Sequence, residues 1–78
     1  MSTSPDVNQG IAAAVSAALR DAGISQRDAA ARTGIPLATL GRRLTGRSPF
    51  IVTELALLGE LTGLTVTDLI SRGEANAA

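Results

Sequence analysis

The chain has no cysteine, histidine, lysine, tryptophan or tyrosine, and Phe50 is its one aromatic residue. Without cysteine there are no disulfides and no thiolate nucleophile. Without histidine there is no imidazole to shuttle protons, and the two commonest zinc ligands are both missing. Lysine is absent as well, which removes Schiff-base chemistry. Carboxylates are the only general bases left, and the seven present are scattered, with no pair set by spacing to act together. The chain therefore reads as a non-enzyme with no metal and no cofactor.

Length is also in short supply. At 78 residues the chain makes one small domain, which buries only about 60% of the surface its unfolded form exposes. An enclosed pocket for a small-molecule ligand is not expected. The longest apolar stretch, residues 11–19, follows an acidic start and is too short to cross a bilayer. No membrane partner and a cytoplasmic location are the expectations.

What the chain does have is alanine and leucine, 14 and 10 residues, the material of helices with a small, aliphatic core. Its net charge is zero but unevenly spread. Between residues 20 and 47 six arginines (Arg20, Arg27, Arg32, Arg42, Arg43, Arg47) face only Asp21 and Asp28, whereas the last third carries four acids against Arg72. Such clustering creates a local positive field that the total conceals.

Local signals divide the chain into five helices. Ser4 and Pro5 start the first, since proline fixes φ and has no amide hydrogen to leave unpaired. Apolar residues at helical spacing carry it toward Gly23. Ser25 with Asp28 opens a short second helix over 26–32, stopped by Gly34. Pro36 opens a third over 36–45, stopped by Gly46. After the polar Arg47-Ser48-Pro49 loop, a fourth spans 52–62, although Ile51 stands where a capping hydroxyl is usual. Thr65 with Asp68 opens a fifth over 66–72. Residues 1–73 form the domain, and Gly73 hands over to a short flexible tail at 74–78.

Helices two and three are joined by Thr33, Gly34 and Ile35 alone, and so short a glycine-containing connection makes them cross at a large angle. Counting from Gln26, small Ala30 is fifth, Gly34 ninth and Leu40 fifteenth. The small residue permits close approach, the glycine makes the turn and the leucine anchors the second helix. This pattern resembles the helix-turn-helix of the lambda-repressor/Cro family, and is most like small repressors of actinobacterial phages and their hosts. The resemblance runs from about residue 24 to 70. It implies an all-α, five-helix lambda-repressor-like bundle binding double-stranded DNA, with helix three in the major groove.

On that resemblance, Leu37, Ala38, Thr39, Arg42 and Arg43 are the base-contacting candidates. Leu40 and Leu44 point to the core, and Arg43 lies nearer the buried edge than Arg42. Arginine is favoured because its fork matches guanine O6 and N7 together. Gln26, Arg27, Thr45, Arg47 and Ser48 are candidates for the sugar-phosphate backbone. Arg20 and Arg32 read as surface or ion-pair residues. Gly41, inside the recognition helix, either allows close approach to DNA or is simply tolerated. Leu57 and Leu61 form a second apolar pair on helix four, readable as a homodimer contact or as core.

The expected function is a sequence-specific regulator, a repressor occluding a promoter or operator. The alternative is a protein-interaction module, antitoxin-like or adaptor, whose helix-turn-helix meets another protein. Activation would need an exposed acidic patch, with Glu54 and Glu60 as candidates.

Overall fold

The computed structural model describes residues 6–77. These form α1 (Val7–Asp21), α2 (Gln26–Thr33), α3 (Leu37–Leu44), α4 (Val52–Thr62) and α5 (Val66–Ala77). The Ser4–Pro5 helix start lies outside the described residues. Within them Asp6 caps α1, its carboxylate accepting from the Asn8 amide at 2.9 Å. No described helix is long and apolar enough to cross a membrane.

The capping signals act where the residues dictate. The Ser25 hydroxyl accepts from the Asp28 amide at 3.0 Å and so satisfies one of the unpaired donors of α2. At the start of α5 the arrangement is reciprocal: Thr65 Oγ1 accepts from the Asp68 amide at 3.0 Å, and Asp68 Oδ2 accepts from the Thr65 amide at 2.9 Å. Pro36 serves as the N-cap of α3 rather than its first residue.

The turn between α2 and α3 rests on two residues. Gly34 has φ +80°, a left-handed conformation that other residues adopt at a cost. Thr33 braces it, its hydroxyl donating to the Ala29 carbonyl at 2.7 Å and accepting from the Ile35 amide at 3.2 Å.

One apolar cluster joins the helices, built from Val15, Leu19, Ala29, Ala30, Ile35, Leu40, Leu55, Leu58 and Leu69. Leu40 and Leu58 are completely buried. Phe50, Leu44 and Leu61 pack against the cluster from its margin. Leu61 thus packs at the margin of the core while remaining partly exposed. Leu57 is half-buried and outside the cluster.

α5 departs most from expectation. It does not stop at Gly73 but runs to Ala77, so residues 74–77 are helix and not tail. Gly73 is buried where α5 crosses α1. A Cβ on Gly10 would overlap the Gly73 carbonyl, and a Cβ on Gly73 would overlap Ile11. Two helices with no side chain at the crossing approach backbone to backbone, and the Asn76 amide group donates to the Gly10 carbonyl at 3.0 Å. Packing explains the misreading, because a glycine serving a helix crossing looks in sequence like a glycine ending a helix.

Candidate nucleic-acid interface

α3 is anchored on one side only. Leu40 is buried, Leu44 is half-buried, and Ala38 and Arg42 are exposed on the opposite side; Leu37, exposed at the helix start, shares the side of Leu40 and Leu44. The helix has no capping side chain and no acid in its first turn, so the positive end of its dipole is uncompensated.

Beside it, Gln26, Ala38, Gly41, Arg42, Thr45 and Arg47 line an open groove of about 400 Å³. Five of the residues read from the sequence as DNA contacts, Gln26, Ala38, Arg42, Thr45 and Arg47, thus come from α2, α3 and the following loop to one place. A Cβ on Gly41 would come within 3.3 Å of the Gln26 side-chain nitrogen, so the glycine gives Gln26 room to lie against α3.

The Arg42 side chain lies along the outer face, with Nη2 donating to Thr39 Oγ1 at 3.3 Å, a long bond that leaves most of its fork open. Its carbonyl gathers the end of the helix. Thr45 Oγ1 donates to it at 3.1 Å and the Arg47 amide at 3.0 Å, so the Arg47 backbone is fixed relative to Arg42. Arg27 and Arg47 are exposed, and neither they nor Arg42 is in an ion pair among the described residues.

Arg43, expected from the sequence as a base contact, differs from its neighbour in having its side chain engaged by other residues of the protein. Its Nε and Nη2 donate to the two carboxylate oxygens of Glu54 at 2.8 and 3.2 Å, and its Nη1 donates to Ser48 Oγ at 3.0 Å. Every nitrogen of the fork is engaged within the protein. The guanidinium is held above its ordinary pKa, chiefly by the hydrogen bond to Glu54. For Glu54, burial opposes the charge, but the bonds from Arg43 and from the Ile51 amide, with the arginine's charge, outweigh it and hold the carboxyl below its ordinary value. Ser48, a backbone candidate, is half-buried with its oxygen turned to Arg43.

Glu54 also completes the start of α4. Ile51 has no hydroxyl to offer, yet Glu54 Oε1 accepts from the Ile51 amide at 3.0 Å, the glutamate half of a capping box. An acid three residues into a helix was the available signal. Being buried, Glu54 is lost to any exposed acidic patch; Glu60 is exposed.

Arg20 was missed. It lines a second open groove, of about 330 Å³, with Ser16, Leu19, Ile24, Leu44 and Gln26. Gln26 borders both grooves, so the exposed Arg20 extends the basic surface toward α1. Nothing in its sequence neighbourhood, where Asp21 directly follows it, distinguishes it from a surface arginine.

Among the described residues no group of three or more carboxylates gathers to hold a metal. Compared with known proteins, the chain matches no family model, no curated protein and no solved structure.

Proposed function

We propose that the protein is a sequence-specific double-stranded DNA-binding regulator of the lambda-repressor type, acting as a repressor by occupying a promoter or operator. The observation that carries this reading is the convergence of Gln26, Arg42, Thr45 and Arg47 on one open groove beside an uncapped helix.

In this reading α3 enters the major groove. Arg42 offers its open fork to guanine O6 and N7, an interaction worth roughly 1–3 kcal/mol of discrimination. Thr39 and the exposed Leu37 and Ala38 give short contacts to thymine methyls. Gln26, Arg27, Thr45 and Arg47, joined by Arg20, meet phosphates and set the register without reading sequence. Two copies on a two-fold-related site pair through α4, where Leu57 and Leu61 both remain partly exposed.

Selection from a random duplex pool, followed by salt titration of the wild type and Arg42→Ala, tests the proposal. A selected consensus is expected, bound more weakly by the variant and with relaxed preference at one base pair. No duplex binding at about 50 mM salt, or binding indifferent to Arg42, would overturn it. A protein-interaction module is the second reading, favoured by the exposure of Leu37, Ile51 and Val52. It predicts the failure of duplex binding together with loss of partner capture in Val52→Asp.

A further inference from the structure

Arg43 and Glu54 link the end of α3 to the start of α4 across the loop between them. Arg43 stands in the last turn of α3, Glu54 in the first turn of α4, and Ser48 and the Ile51 backbone lie between them. The pair is two-pronged, with both side chains mostly withdrawn from water, 19% and 11% exposed. Its geometry is therefore fixed in a way that a lone surface ion pair is not.

The loop so held is the one that presents Arg47. Its near end is tied to the Arg42 carbonyl by the Thr45 hydroxyl and the Arg47 amide. Its far end is tied by Ser48 and Ile51 to the Arg43–Glu54 pair. Arg47 thus projects from a span of chain anchored on both sides, within reach of the groove that Arg42 borders. Turning Arg43 toward a duplex would break both prongs and strand a buried carboxylate without a partner, the costlier of the two ways to lose such a pair.

We propose that Arg43 and Glu54 act as a positioning clamp. They hold the loop carrying Arg47 against the end of α3, so that Arg42, Thr45 and Arg47 meet a duplex together, while Arg43 itself touches no nucleic acid. The inference rests on the DNA-binding reading above.

It makes a prediction opposite in sign to simple electrostatics. Removing a negative charge from a protein that binds a polyanion raises affinity by Coulomb's law. If Glu54 positions the interface, Glu54→Gln lowers affinity instead, by roughly five- to twentyfold. The slope of log affinity against log salt stays that of the wild type, because Arg47 still meets its phosphate in the complex and the loss is the cost of ordering the loop on binding. Arg43→Met shows the same loss with the same slope, whereas loss of a phosphate contact reduces the slope by about one unit. Arg43→Lys fails to restore binding, since an ammonium keeps the charge but cannot span both carboxylate oxygens. Affinities are compared at a temperature where circular dichroism shows every variant fully folded.

Glu54→Gln binding as tightly as the wild type or tighter overturns the clamp, as does a reduced slope in Arg43→Met. If the wild type binds no duplex, the DNA reading fails, and the clamp is decided by nuclear magnetic resonance of the free protein. An Arg43 Nε–H protected from exchange, with amide shifts in Glu54→Gln confined to residues 43–54, supports it. An unprotected Nε–H, or an unmoved loop, overturns it.

Discussion

The α1–α5 side and the α2–α3 side of the molecule are held together by different physics. Where α1 crosses α5, two glycines bring backbones into contact and the Asn76 amide bonds the Gly10 carbonyl. The atoms facing Gly10 there are backbone and cannot yield as a side chain can. On the other side two short helices meet through a glycine turn, a serine cap and a buried leucine, and their outer surface carries arginines and small polar residues in contact with water. The first region tolerates almost no added volume; the second tolerates changes that leave the fold intact and alter only what the surface can bind. Scaffold and interface are thereby separable, and substitutions should sort accordingly.

The largest effect is expected at the crossing. In Gly10→Ala the helix gains up to about 1 kcal/mol of propensity, but the new methyl overlaps the Gly73 carbonyl, and a backbone atom has nowhere to go. Overpacking of this kind costs roughly 1–3 kcal/mol and sometimes more, so a clear fall in the urea midpoint is expected. A variant as stable as the wild type would mean that the two helices slide apart freely, and the contrast between regions would dissolve.

Arg42→Ala should show the reverse. Duplex affinity falls by about 1–3 kcal/mol, read by fluorescence anisotropy, while the thermal midpoint stays within a degree or two of wild type by scanning calorimetry. A large drop in midpoint would place Arg42 in the scaffold after all.

A smaller stability loss is expected at Ser25→Ala, about 1 kcal/mol for the missing cap, because the Asp28 amide loses its acceptor. Hydrogen exchange should report the loss in α2 while leaving α1 and α5 protected.

The mildest test is of pH. Asp68 is held below its ordinary pKa by hydrogen bonds from the Thr65 amide and hydroxyl, and Glu54 is lowered as well. Each group is easier to ionise folded than unfolded, so its contribution is complete above the ordinary carboxylate range and is lost as pH falls through the folded value. Asp68→Asn should shallow the acid limb of the stability curve by chemical denaturation. An unchanged limb would show that the cap of α5 carries no ionic component.

Where the sequence could be read, the signal was local. The α2–α3 turn, the Ser25 and Thr65 caps and the start of α4 at Val52 all appear where serine, threonine, proline and glycine announce them. Two of the misreadings involve residues whose role depends on a distant partner. Gly73 resembles a helix stop until Gly10 is set beside it. Arg43 resembles Arg42 until Glu54, eleven positions on, takes up its fork.

Chain chemistry alone was enough to specify five helices, an aliphatic core and a middle third rich in arginine, because caps, turns and charge density act over a few residues. Three-dimensional packing decided which of two adjacent arginines is ion-paired, and which glycine ends a helix and which lets one cross another. Those choices depend on groups brought together from far apart along the backbone, and spacing along the chain does not encode such distances.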